Sequence, residues 1–143
     1  MIIENEIKTR RIELTTVDSE KDYFPSYQLK IKLSTEEIQA TFNRSIWISE
    51  ADLDSFIVKL HDLETTRRGD EKLNSMSPGE FQLRFRNLDE RGHLAVELQL
   101  MKKSYPDPEY SDLIKVEFEI DPTSLLNIVT GLNELKTHAN KAQ

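Results

Sequence analysis

The stretch Trp47-Ile48-Ser49-Glu50-Ala51-Asp52-Leu53-Asp54-Ser55-Phe56-Ile57-Val58-Lys59-Leu60-His61-Asp62-Leu63 reads as a strand end, a helix cap and an amphipathic helix in succession. Ser49 is a good N-cap, and Asp52 three residues on can reach back to it or meet the positive end of the helix dipole. Leu53, Phe56, Ile57, Leu60 and Leu63 keep helical spacing on one face. Arg67, Arg68 and Gly69 then supply late positive charge and a glycine, so the helix stops there or slightly earlier. A second stretch, from Phe118 to Leu135, repeats the design. Ile48, Leu53, Phe56, Ile57, Leu60 and Leu63 correspond at one constant offset to Ile120, Leu125, Ile128, Val129, Leu132 and Leu135. There Asp121 is the cap, and Pro122 takes the first helical position, where a missing N–H costs nothing. Gly131 lies on the flank of this second helix at a cost of about 1 kcal/mol against Ala. A close approach of the two helices would account for it.

Working outward, each helix is preceded by segments that alternate apolar and polar residues. Residues 6–17 read as a first strand through Ile12 and Leu14, with alternation that weakens toward Ile7 and suggests a bulge or loose edge. Tyr27, Leu29, Ile31 and Leu33 form the next inward row, and Ile38, Ala40, Phe42, Ile46 and Ile48 a third that Arg44 interrupts. Residues 70–80 read as a connector holding a Ser-Pro-Gly turn. Beyond it come Phe81, Leu83 and Phe85, then the hairpin signal Asp89-Glu90-Arg91-Gly92, then Leu94, Val96, Leu98 and Leu100. Ile114, Val116, Phe118 and Ile120 complete the set. Every strand has one apolar and one polar face, the mark of an antiparallel sheet covered on one side. The expected fold is therefore α+β and two-layered, with an antiparallel sheet of about six strands and both helices on one of its faces. It is expected as one domain over residues 1–143, a βββα-βββα pseudo-repeat of about 6–68 and 81–137, with a frayed tail at 138–143.

Composition bounds the function. With 143 residues, 37% hydrophobic and 31% charged, the chain can bury a real core. A net charge of −7 disfavours a general binder of nucleic acid or anionic membrane, and permits a basic partner. Simple solubility is the plainer use of that charge. There is no cysteine, hence no thiolate chemistry or disulfide framework. The opening run Met1-Ile2-Ile3-Glu4-Asn5-Glu6 carries acid where a signal peptide needs base and then apolar residues, so the expected compartment is the cytoplasm.

No phosphate loop, dinucleotide fingerprint, zinc-protease motif or nucleophile elbow is present. Catalytic residues, metal ligands and cofactors are accordingly expected to be none. Glu50, Asp52 and Asp54 are acids where a helix start attracts them anyway. His93 follows the hairpin glycine, where Asp89 could meet it as an acid–base pair or simply orient the turn. Trp47 points outward by the alternation that buries Ile46 and Ile48. Among Thr41, Asn43, Ser45, Arg84 and Arg86 it would anchor a partner, unless it packs under a loop at the strand end. The segments 18–27 and 101–112 occupy equivalent places in the two repeats. They combine Tyr23, Phe24, Tyr27, Tyr105 and Tyr110 with acids and proline, a composition suited to protein recognition or to lids folded on the core.

The run Trp47-Ile48-Ser49 with Leu53, Phe56, Leu60 and Leu63, then Gly69, Leu73 and Ser77-Pro78-Gly79-Glu80-Phe81, resembles the WapI family of bacterial immunity proteins. Asp89 to His93 and Phe118-Glu119-Ile120-Asp121 with Leu125 continue the resemblance, which spans about residues 20–137 and leaves 1–19 unmatched. It implies a small cytoplasmic protein without catalytic residues. Its partner would be the C-terminal toxin domain of a contact-dependent toxin, often a nuclease with a basic cleft, bound and silenced without direct contact to nucleic acid or membrane. The candidate anchors are then Trp47, Tyr23, Tyr105 and Tyr110, with Asp18, Asp22, Asp107, Glu109 and Asp112 as an acidic rim. Two other classes stay open: a ligand-binding or scaffold domain using the polar sheet face, and a small enzyme using His93 with Asp89.

Overall fold

The computed structural model describes residues 1–103 and 111–141. Its elements run β1 (Ile2–Glu4), β2 (Arg11–Glu20), β3 (Ser26–Ser34), β4 (Gln39–Ser49) and α1 (Glu50–Thr66). There follow β5 (Asp70–Asn74), β6 (Phe81–Asn87), β7 (Leu94–Lys103), β8 (Ser111–Ile120) and, after a 3-10 turn at Pro122–Ser124, α2 (Leu125–Lys141). The strands form two four-stranded antiparallel meanders, β1-β2-β3-β4 and β5-β6-β7-β8. The fold is thus the α+β, antiparallel, helix-covered arrangement that the patterning predicts. The repeat unit, however, is four strands and a helix, and each repeat forms its own sheet, so there are eight strands in two sheets rather than about six in one.

The two extra strands are β1 and β5, both short and at sheet edges. In β5 the sequence Asp-Glu-Lys-Leu-Asn offers one apolar residue, Leu73, and that residue is fully buried. Charged short edge strands resist further pairing, and the same charge hides them from a periodicity search. Two bulges account for the irregular alternation. In β2 the register shifts at Val17, which stands exposed, while Ile7 lies in the turn before the strand. In β4, residues 43–45 span the interval that Lys30 alone spans on β3. Ile38 sits before the strand and is 53% exposed rather than inward.

Both helix caps form as the sequence dictates. Ser49 is extended and its Oγ accepts from the Asp52 amide at 3.1 Å. Asp121 accepts from the Thr123 amide at 3.0 Å, with Pro122 in the first position. The stop of α1 is different: Arg67, not a glycine, takes the left-handed conformation at φ 57° and donates its amide to the Leu63 carbonyl at 2.8 Å. α2 continues through Lys141, past the Thr137 boundary expected from the sequence.

A single cluster of buried side chains joins both sheets to both helices. Leu53, Phe56, Leu60, Leu125, Ile128 and Leu132 are buried, as are Leu29, Ile31, Leu83, Phe85, Val96, Leu98, Val116 and Phe118, with Phe42 partly so. The helices lie side by side, and each leans on the other repeat. α1 packs on β5, and its Phe56 ring meets Phe85 of β6 at 6.0 Å. α2 packs on β2 and β1, where Thr16 donates its Oγ1 proton to the Leu135 carbonyl at 2.8 Å. Gly131 therefore answers to β1 and not to α1, because a Cβ there would stand 3.0 Å from Met1 Cγ.

Phe56 bridges the two repeats, so its truncation leaves a cavity at their junction. Phe56→Ala is expected to cost about 3–5 kcal/mol of stability. Urea denaturation monitored at one wavelength should show a single transition displaced to lower midpoint, with both repeats melting together.

Candidate functional site

Of the sequence-predicted anchors, Tyr23 and Trp47 lie on segments linked by backbone hydrogen bonds to neighbouring connections. The 21–25 connection carries Tyr23, 96% exposed, and Phe24, 57% exposed. Pro25 at its end accepts from the Glu50 amide at 2.8 Å, fixing the loop to the start of α1. Trp47 lies two residues before the cap and opposite Gln28, and its carbonyl accepts from the Met76 amide at 2.8 Å. Glu80, closing the same 75–80 connection, accepts from the Met101 amide at 3.0 Å near the far end of β7. Asp112 stands on β8 directly opposite Lys102. Tyr105, Asp107, Glu109 and Tyr110 lie outside the described residues.

Trp47 is half-buried, flanked by fully buried Ile46 and Ile48. The grouping of Trp47 with Arg84 and Arg86 does not hold, since Trp47 is on the β1–β4 sheet and the arginines are on the other. Tyr27 faces the core at 6% exposure, as its place in the inward row of β3 predicts, and so does not join the loop aromatics Tyr23 and Phe24. Burial, followed by the carboxylate of Glu50, pushes its phenol up to about 12. Strand parity explains this, because Tyr27 shares the inward row of Leu29 and Ile31.

The polar face of the second sheet is an ion-pair lattice. Arg84 holds Asp70 at 2.5 and 2.7 Å and approaches Glu97 at 3.8 Å, while Lys115 approaches Glu97 from β8, also at 3.8 Å. Arg86 pairs with Glu117 at 2.7 Å. Under this lattice Glu97 is only 5% exposed. The polar face of the first sheet is more open, with a shallow hollow of about 590 Å³ bounded by Arg11, Glu13, Lys32, Gln39 and Thr41.

Asp89 and His93 do meet, Oδ2 to Nδ1, at 2.5 Å. Asp89 Oδ1 also accepts from the Arg91 amide at 2.9 Å and the His93 amide at 3.2 Å, so both oxygens serve the turn. A cleft of about 420 Å³ beside His93 is bordered by Glu6, Glu119 and Asp121, with no hydroxyl or amine nucleophile among its lining side chains. Glu50 and Asp52 lie in the first turn of α1, and Asp54 beyond it pairs with Lys136 at 2.5 Å. Among the described residues no group of three or more His, Cys, Asp or Glu side chains is placed to hold a metal ion. No helix is long and apolar enough to cross a membrane.

Sequence reasoning missed two exposed apolar residues, Leu113 and Ile114, at 57% and 36%. Ile114 falls in the inward row by parity and stands opposite buried Leu100, but β8 is the edge strand of its sheet and leaves it partly uncovered. Alternation shows which way a side chain points, not where the opposing layer ends.

The geometry defines a rigid two-layer α+β domain whose uncommitted groups lie on strand ends and connections. The family described as the Immunity protein WapI-like family matches residues 2–137, and the chain belongs to it. The match begins at residue 2, so β1 and β2 are part of the family unit, beyond the 20–137 span of the resemblance. No curated protein and no solved structure matches the chain.

The turn pair sets a pH signature. The Asp89 hydrogen bond foremost raises His93 above its ordinary 6.5, and the His93 hydrogen bond foremost lowers Asp89 below 3.8. The histidine contribution is complete below 6.5 and is lost as pH rises through the raised folded value. The aspartate contribution is present above 3.8 and is lost as pH falls through the lowered one. Denaturation midpoints of wild type and Asp89→Asn should therefore differ most between pH 3.8 and 6.5, converging as His93 deprotonates.

Proposed function

We propose that this chain is a non-catalytic immunity protein that binds a cognate bacterial toxin domain and keeps substrate from its active site. Membership of the immunity family over residues 2–137 carries this reading. In chemical terms it would act as an acidic plug on a basic, nuclease-type cleft, with the net charge of −7 steering encounter. The acidity is concentrated on α1, where Glu50, Asp52, Asp54, Asp62 and Glu64 stand against Lys59 alone. Affinity would come from the rim anchors Tyr23 and Trp47, together with Tyr105 and Tyr110. Asp18, Asp22, Asp107, Glu109 and Asp112 would speed association. The compartment proposed is the cytoplasm.

Stopped-flow binding to the toxin domain encoded beside the gene tests this. Tyr23→Ala, at a fully exposed position, should leave folding unchanged while raising the dissociation rate by the equivalent of about 2 kcal/mol. Asp18→Asn with Asp22→Asn should chiefly slow association, with the loss fading as salt rises. Association indifferent to both salt and these acids would discard the electrostatic plug.

Catalysis is tested separately through the turn histidine. His93→Ala is expected to protect a toxin-expressing strain as well as wild type. Lost protection in a variant that melts normally would return the acid–base reading to first place.

A further inference from the structure

The four sheet edges are not equally protected. β1 has three residues and lies beside α2. β5 has five, begins Asp-Glu-Lys and packs on α1. β4 is broken by its bulge at 43–45 and tied at Trp47 by the Met76 amide. β8 has ten residues in unbroken register with β7, from Leu94 opposite Ile120 to Lys103 opposite Ser111. Its first five residues, Ser111 to Lys115, are all exposed. Such an edge, long and regular, with Leu113 and Ile114 exposed between Asp112 and Lys115, is a template for another strand.

The orientation of its backbone can be worked out. The Glu117 carbonyl accepts from Arg10 Nη1 at 3.1 Å, so it points away from β7. In a regular antiparallel ladder, residues of the same parity present both N–H and C=O to the same side. Leu113 and Lys115 therefore offer their N–H and C=O groups outward, with the Leu113 side chain on one face of the ribbon and Ile114 on the other. Beside Lys115 the edge continues into a groove of about 570 Å³ between β8 and the β3–β4 turn, lined by Arg10, Glu36 and exposed Ile38.

We infer that the outer edge of β8 over Ser111–Lys115 is a strand-pairing site, whose occupant is an extended segment of the toxin domain added antiparallel to the sheet. The inference rests on the immunity reading for the identity of the partner. Main-chain bonds would supply affinity and the alternating side chains selectivity. Directly opposed residues share a face, so the matching segment reads, from its N-terminus, acid opposite Lys115, apolar opposite Ile114 and Leu113, and base opposite Asp112. A second copy does not satisfy this pattern. Two-fold pairing centred on Asp112 or Lys115 opposes like charges, and centring on Leu113 or Ile114 sets a charge against an apolar side chain. The groove by Ile38 would take residues preceding the paired segment.

Proline separates main-chain from side-chain contributions. At position 113 it removes an outward N–H and no bond to β7, a placement edge strands tolerate. Toxin-domain binding is measured for wild type, Leu113→Ala and Leu113→Pro, with melting curves for each. The expected result is a modest loss for Leu113→Ala and a loss of at least about thirtyfold for Leu113→Pro at unchanged melting temperature. Proline and alanine variants of equal affinity would overturn the pairing site and leave the immunity reading standing. Wild type that fails to bind overturns both. A dimer of the free chain dissolved by Leu113→Pro would assign the edge to a second copy and overturn the inference. Should the proline variant not fold, amide exchange on wild type decides: the Leu113 and Lys115 amides must gain protection in the complex, and unchanged exchange rejects the site.

Discussion

The exchange of helices between the two repeats is the constraint on which the rest of the molecule depends. Each repeat ends in a helix, but α1 lies against β5 of the following sheet and α2 against β1 and β2 of the preceding one. Neither sheet is covered by its own helix alone. The apolar stripe of α1, from Leu53 to Leu63, and that of α2, from Leu125 to Leu135, therefore contribute to one core. Burial of this kind is favourable roughly in proportion to area and has no direction of its own. Direction comes from a few polar and steric fixings: the two caps, the Thr16 hydroxyl on the Leu135 carbonyl, and Gly131 giving way to Met1. Loss of either helix would strip the inner faces of both sheets.

This exchange also marks the limit of what the sequence reveals. Capping and periodicity are local, so the repeated cap-and-stripe design, the inward rows of six strands and the Asp89–His93 turn were all legible. Which layer covers which face is not a local property, and it was Gly131 that registered the difference. A glycine in a helix signals a close neighbour without naming it, and here the neighbour is β1, itself too short to show alternation. β5 was hidden for a related reason, having one apolar side chain to bury. Tyr23 was readable as an exposed aromatic because it stands in a loop. Tyr27, four residues on, belongs to a strand whose parity overrides the composition of the loop beside it. Leu113 has the outward parity of Lys115, but Ile114 could not be read as surface, because alternation does not show that its strand is the edge of the sheet.

The outer faces of the two sheets have different capacities for binding. In the second, Glu97 is a carboxylate at 5% exposure with Arg84 and Lys115 each 3.8 Å away. A buried carboxylate is tolerated only when compensated, and removing one partner costs far more than the pair contributes. Arg84 is thereby held between Asp70 and Glu97, just as Arg86 is held to Glu117 at 2.7 Å, while Lys115 at the sheet edge keeps an exposed side chain. A partner seeking Arg84 or Arg86 would have to break pairs already made. The same lattice stiffens β6, β7 and β8 as a unit. A stiff sheet meets a partner at lower entropic cost than a mobile one. The proposed recognition elements, the rim around Trp47 and the exposed start of β8, would then sit where the lattice ends, beside a core and an ion network that need not change when a partner arrives.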